Sequence, residues 1–187
     1  MDPPISKASG FISMRNAIQS LISPEQYKAL MRALPADTAA LVERPPLPVE
    51  WLPVRFGKEL LETAHKVAFD GNDQLVFETA RRALVSDLKT IYRIFIRFLS
   101  PQYVIERGAK LYDTYTRHNG SLTVREIGPK TAELTYRNVV DSTPLVWVYQ
   151  CGAAYGVLEA TGLKDIRVEI KSGGGTSPSC VIHAHWG

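Results

Sequence analysis

The chain runs to 187 residues, 45% hydrophobic and 22% charged, with a formal net charge of +3; this fits one soluble folded domain, or one domain with an N-terminal extension. Its basic residues form no run, which argues against nucleic-acid binding, and its two cysteines, Cys151 and Cys180, make no disulfide framework. The N-terminus carries no signal-peptide pattern, and the longest apolar run, Ile91 to Leu99, is broken by Arg93 and Arg97 and too short to span a bilayer, so a cytoplasmic, reducing setting is expected.

Residues 1–10 (MDPPISKASG) are rich in Pro, Ser and Gly and read as a disordered tail. Residues 11–43 form an N-terminal helical segment. There Ser23, Pro24 and Gln26 make a capping box with proline at the first helical position, and Tyr27, Leu30, Met31 and Leu34 share one stripe. Residues 44–55 are a Pro-rich strap: Pro45, Pro46, Pro48 and Pro53 fix φ and remove donors, so the segment is extended. A strap laid over the domain, with Trp51 and Leu52 tucked in, is favoured over an interdomain linker.

Residues 56–187 read as a single α/β ligand-binding-like domain. Phe56, Leu60, Ala64 and Val67 repeat at helical spacing up to the turn pair Asp70 and Gly71. A second helix is expected over about 73–86, and an almost wholly apolar core helix follows through LKTIYRIFIRFL. Its Arg93 and Arg97 lie one turn apart and offer an anion clamp, against the plainer reading of side chains that snorkel to the surface. The helix from Pro101 to His118 puts Val104, Gly108, Leu111 and Tyr115 on one stripe with Tyr112 beside it, and ends at Asn119 and Gly120.

Then comes a ββαββ unit. Leu122 and Val124, then Ala132, Leu134 and Tyr136, alternate with polar residues, as do Ile166, Val168 and Ile170, then Cys180, Ile182, Ala184 and Trp186. Period-two alternation places each set on one face of a half-buried antiparallel sheet. Gly128 and Pro129 make the first hairpin. The helix between the pairs, near 143–161, has Asp141, Ser142 or Thr143 as its cap and Pro144 at its first position. Inside it Gly152 and Gly156 form a small face, which helix or sheet packing explains more simply than a ligand does. The loop KSGGGTSPS lacks the Lys-Ser/Thr ending and following helix of a P-loop and reads as a mobile hairpin tip. The fold class is therefore α+β, with helices packed on one face of a four-stranded antiparallel sheet and a helical extension at the N-terminus.

Candidate chemistry is sparse. His183 and His185, at i and i+2 on the last strand, can face one metal, but no third ligand is evident nearby. Cys151 with a histidine could make a nucleophile–base pair, yet it lies on an apolar helix without an orienting carboxylate, so a buried thiol is the better reading. The aromatic residues are more suggestive: Tyr112, Tyr115, Trp147 and Tyr155, with Cys151, are the residues expected to line a cavity where helices meet sheet. The same rings also suit a filled core or a dimer seam.

The stretches HNG, LTVREIG, AELTYR, CGAAYGVLEATGL, IRVEIKSGGG and CVIHAHW, within residues 101–187, resemble the 4-vinyl-reductase-like domain and its relatives, the trafficking-complex and haem–nitric-oxide-associated ligand-binding superfamily. The full length, with the WLPV strap, resembles an uncharacterised myxobacterial paralogous family. The resemblance implies a domain, often dimeric, that binds small apolar molecules, acyl chains or partner proteins in sensing or regulation. Some members carry a zinc site, and the matching positions here read Cys151, Glu169, Ser172 and Cys180. Serine replaces a thiolate and Glu169 alternates away from Cys180, so no structural zinc is expected. Haem-binding members need an axial histidine and a Tyr-x-Ser-x-Arg clamp, which this chain lacks, so no cofactor is expected. The leading expectation is a non-enzymatic, homodimeric module for an apolar small molecule, a lipid or a signalling partner. A scaffold with a filled core, and less so a Cys/His enzyme, are the alternatives.

Overall fold

The computed structural model describes residues 2–91 and 101–187. Its helices are α1 (Ala8–Gln19), α2 (Pro24–Ala33), α3 (Ala36–Glu43), α4 (Val54–Val67), α5 (Asp73–Ile91), α6 (Pro101–Tyr115) and α7 (Pro144–Ala160). Its strands are β1 (Ile5–Lys7), β2 (Trp51–Pro53), β3 (Thr116–Arg117), β4 (Ser121–Gly128), β5 (Thr131–Arg137), β6 (Arg167–Gly173) and β7 (Cys180–His185).

The larger sheet has the order β4-β5-β7-β6 and is antiparallel throughout. Leu122, Tyr136 and Cys180 fall in one cross-strand row, and Val124, Leu134 and Ile182 in the next. All of these face the core side, because successive side chains of a strand alternate faces. Ala132, Tyr136, Cys180, Ile182 and Ala184 are buried there beneath α7, while α6 lies against β4. The opposite face carries Arg125, Glu133, His183 and Glu169 in a single row. One face apolar and one face charged is the pattern of a sheet with helices on one side only. The α+β class and the ββαββ unit are thus as the alternation implied.

Helix α7 is pressed onto α5. A Cβ on Gly152 would lie 2.2 Å from the Phe77 carbonyl oxygen, and one on Gly156 would lie 2.7 Å from that of Arg81. The two glycines therefore let two backbones approach where no larger residue fits. At the far end of this contact Arg81 holds Glu159 through two bonds, of 2.8 and 2.6 Å. Around α1 to α4 a second core gathers Phe11, Ile18, Leu30, Val42, Leu60 and Ala64, and α7 contributes Leu145, Val148 and Tyr149 to it. The N-terminal helices thus share a core with α7.

Four sequence expectations change. Residues 5–7 are not a loose tail: β1 is the central strand of a small sheet, with Ile5 opposite Pro53 on one side and Arg117 on the other. Both partners are remote in sequence, so composition alone gave no sign of them, and Ala8 just beyond is fully buried. The expected helix over 73–86 continues to Ile91 without a break; the rest of the expected core helix, with Arg93 and Arg97, lies outside the described residues. At the start of α7, Thr143 is the cap residue and Pro144 follows, but the Thr143 hydroxyl makes no capping bond and is buried without a partner.

The glycine loop after β6 is the fourth. Trp147 Nε1 donates to the Gly175 oxygen at 3.1 Å, Ser142 Oγ to the Ser177 oxygen at 2.7 Å, and Val139 N to the Pro178 oxygen at 2.9 Å. Those donors come from elements distant in sequence, which is why the loop reads as unanchored locally. The capping box of Ser23 and Gln26 is present as read, with bonds of 2.8 and 3.2 Å. In the strap, Leu52 is buried and Trp51 half-buried.

Candidate functional site: a cavity between helices and sheet

A cavity of about 240 Å³ lies between α1, α5, α6 and α7 and the inner face of β4 and β5. Phe11 and Met14 come from α1, Leu111 from α6, and Leu122, Val124 and Leu134 from the sheet. From α7 the wall takes Tyr149, Gln150, Ala153, Ala154, Val157 and Leu158. These recur at one and four residues, the spacing of a helical stripe. The wall is mostly hydrocarbon, and its polar groups are few and specific.

Asp87 is the buried charge of the wall, 9% exposed. Ser13 donates to one of its oxygens, and the Tyr115 hydroxyl donates to the other at 3.1 Å. Burial raises the Asp87 carboxyl above the ordinary carboxylate range, and these two hydroxyl donors only partly oppose it. Tyr112 donates to the Asn119 oxygen at 2.7 Å, and burial raises its phenol as well.

Of the residues expected to line a cavity, Tyr112 and Tyr115 do so, and Trp147, Cys151 and Tyr155 do not. Trp147 is fully buried in a cluster with Tyr136, Cys151, Cys180 and Ile182. There the rings of Tyr112, Tyr136 and Trp147 meet edge to face, with centroids 5.7 and 5.8 Å apart. Tyr155 packs edge-on to Phe77 at 5.5 Å, with the Arg81 guanidinium 5.6 Å from its ring. The reason lies in α7, which is apolar on nearly every side, so periodicity cannot say which face opens on the cavity. The sequence reading missed Asp87, Phe11 and Met14, while Tyr149 was among the rings expected to converge where helices meet sheet. Asp87 lies in the mixed stretch ALVSDLKT of α5, which gave it no distinguishing signal.

Nucleophilic chemistry finds no support in the thiols. Burial pushes the Cys151 thiol up to about 12, with Cys180 nearby adding to the shift. Burial likewise raises Cys180 to about 11. Thiols held protonated in this way are poor nucleophiles and poor metal ligands. On the outer sheet face each histidine has its own carboxylate: His183 Nε2 is 3.3 Å from Glu133, and His185 Nε2 is 3.6 Å from Glu169. Glu169 also pairs with Lys171 at 2.6 Å, on the face away from Cys180. Among the described residues no group of three or more His, Cys, Asp and Glu side chains is arranged to hold a metal.

No protein-family model matches the chain, and no curated protein sequence matches it. Solved structures do. A variant Tt H-NOX aligns over 96% of this chain and 94% of its own, at 10% identity and a TM-score of 0.70. A mutant of the Fe(II) unliganded H-NOX protein from K. algicida aligns over 97% and 96%, at 10% identity and a TM-score of 0.66. An oxygen-binding H-NOX domain related to soluble guanylate cyclases aligns over 93% and 91%, at 11% identity and a TM-score of 0.62. The chain has the fold of these domains over nearly its whole length.

Such a fold raises the question of haem, and the residues of the cavity do not fit it. No histidine or cysteine lies in the wall among the described residues. His65 is paired with Asp73 at 3.0 Å, His118 is half-exposed beside Asp2, and His183 and His185 are on the outer sheet face. Tyr112 and Tyr115 use their hydroxyl protons in bonds to protein oxygens, and Met14 serves haem iron only as the partner of a histidine. Among the described residues Lys7 is the one cationic side chain of the wall to meet two propionates. A cavity of about 240 Å³ exceeds by less than twofold one of about 150 Å³ that takes a single benzene ring; it is far too small for a porphyrin.

Proposed function

We propose that this chain is a non-enzymatic binding module that encloses one small apolar organic molecule between its helices and the inner face of its sheet. The observation that carries this reading is the cavity itself: a half-open pocket walled mostly by hydrocarbon, with a few polar groups in its wall, which is how small-molecule sites are built. One structural neighbour concerns haem redox potential and another is an oxygen-binding H-NOX domain. Here the described residues of the wall offer no axial donor, so the same location serves an organic ligand in place of a metalloporphyrin. Its volume suits a single ring with a short arm, or a short chain, in preference to a long acyl chain.

The raised thiols and the separately paired histidines support a role in recognition over one in turnover. A regulatory role, a signalling partner, a homodimer and a cytoplasmic setting belong to the proposal through the family resemblance, as does the narrower kinship with 4-vinyl-reductase-like and myxobacterial proteins. No helix of the described residues is long and apolar enough to cross a membrane.

The test is a thermal-shift and native mass-spectrometry screen of the full chain with small aromatics and short-chain compounds, beside Ala153→Leu. Ala153 lines the cavity, and the larger side chain fills it. The expected result is a ligand-induced rise in Tm that the variant loses while keeping its fold. A chain that none of these compounds stabilises, or a shift that Ala153→Leu leaves intact, would refute the proposal.

A further inference from the structure

Among the described residues, the buried carboxylate of the cavity wall, Asp87, has no countercharge. The two donors to Asp87, Ser13 and Tyr115, are both neutral hydroxyls, and no Lys, Arg or His side chain pairs with it among the described residues. Lys7, the other charged residue of the wall, has its Nζ 5.7 Å from the centre of the Trp51 ring and makes no ion pair with Asp87. A carboxylate taken out of water without a countercharge is costly, and a buried cation that fits beside it recovers much of that cost.

A second group at the same wall is also unpartnered. Tyr149 lines the cavity from α7, and its hydroxyl has no hydrogen-bond partner among the described residues. Asp87 faces the same cavity from α5, and burial, with the charge of Asp87 adding to it, pushes the Tyr149 phenol far above its ordinary range.

Resting on the cavity reading above, we propose that the occupant is a small apolar amine. Its ammonium sits against the Asp87 carboxylate and the Tyr149 hydroxyl, and its ring or short chain lies along Phe11, Leu111, Val124 and Leu134. An ammonium supplies both the missing positive charge and three donors, of which the carboxylate and the phenol oxygen each accept one. A ligand with a carboxylate or phosphate head would bring a second negative charge beside Asp87 and is disfavoured.

Equilibrium binding to the full chain of toluene, 2-phenylethanol, 2-phenylethylamine and 3-phenylpropionate tests this. The amine is expected to bind about tenfold or more tightly than the alcohol, since bonds to a charged group exceed neutral ones, and the carboxylate weakest. Asp87→Asn, of the same size, should remove the amine's advantage while the alcohol still binds. Tyr149→Phe breaks no hydrogen bond among the described residues and should weaken the amine by roughly three- to tenfold. If toluene and the alcohol bind but the amine has no advantage, or Asp87→Asn preserves that advantage, the amine assignment is overturned and the cavity reading stands. If none of the four binds, both are overturned. Should Asp87→Asn fail to fold, the order of the four ligands on the unmodified chain and the Tyr149→Phe result still decide.

Discussion

Replacing Gly152 with alanine adds one methyl group where α7 meets the backbone of α5. Its Cβ would lie 2.2 Å from the Phe77 carbonyl oxygen and 2.9 Å from the Ala80 Cβ. Ordinary contact begins near 3.4 Å, so α5 and α7 must separate by about an ångström locally. A gap of ~0.5–1 Å forfeits a quarter to a half of the dispersion energy of the contacts it opens. Overpacking of a filled core costs about 1–3 kcal/mol or more, and the α5–α7 seam also holds the Arg81–Glu159 pair. Against this stands the better helix propensity of alanine, about 1 kcal/mol. We expect a net loss of about 2 kcal/mol, which for a chain of this size lowers Tm by roughly 4–8 °C.

The control is Gly57→Ala on α4, where the new Cβ meets only the Met14 Cε at 3.8 Å. There the propensity gain is unopposed, and stability should rise by about 0.5–1 kcal/mol. Urea unfolding of both variants, followed by circular dichroism, separates the cases. Equal stability of Gly152→Ala and the parent would show that the helices are not locked at the glycine face, and the packing argument would fail.

Two further outcomes follow from the buried titrating groups. Cys151 and Cys180, 8% and 1% exposed and with thiols raised by burial to about 12 and about 11, should resist iodoacetamide at neutral pH until the chain is unfolded; rapid modification of the native protein would contradict their burial. Asp87, raised in the folded state chiefly by burial, contributes stability that is full below the ordinary carboxylate pKa of about 3.9 and is lost as pH rises toward its folded value. Urea midpoints of the unliganded chain should therefore fall relative to Asp87→Asn as pH rises above about 4; parallel curves would show that Asp87 titrates normally.

How far the sequence reaches depends on whether a feature is local. Alternation of one residue in two named β4 to β7 and the face each presents to the core, because a half-buried sheet imposes that period directly. The capping box at Ser23 and Gln26 and the proline at the head of α7 were equally legible, since helix ends are settled by a few neighbouring residues. Gly152 and Gly156 announced a close contact without saying with what. That partner, α5, was fixed only when the helices packed.

The cavity belongs to tertiary structure alone. Tyr112 and Tyr115 reach the cavity wall because α6 is amphipathic and points one face at the sheet. Trp147, Cys151 and Tyr155 lie outside that wall because α7 is apolar around its circumference, so its rotation is chosen by α5 on one side and the sheet on the other. The strand β1 was hidden for the same reason: a strand's identity rests on backbone partners, and those of Ile5 are at Pro53 and Arg117. The amino-acid sequence by itself determined the strands β4 to β7, their inner face and the ends of α2 and α7, since these follow from period and caps. Only the packed chain decided that Asp87 would be buried among apolar walls without a countercharge among the described residues, because burial and pairing depend on which distant segments meet.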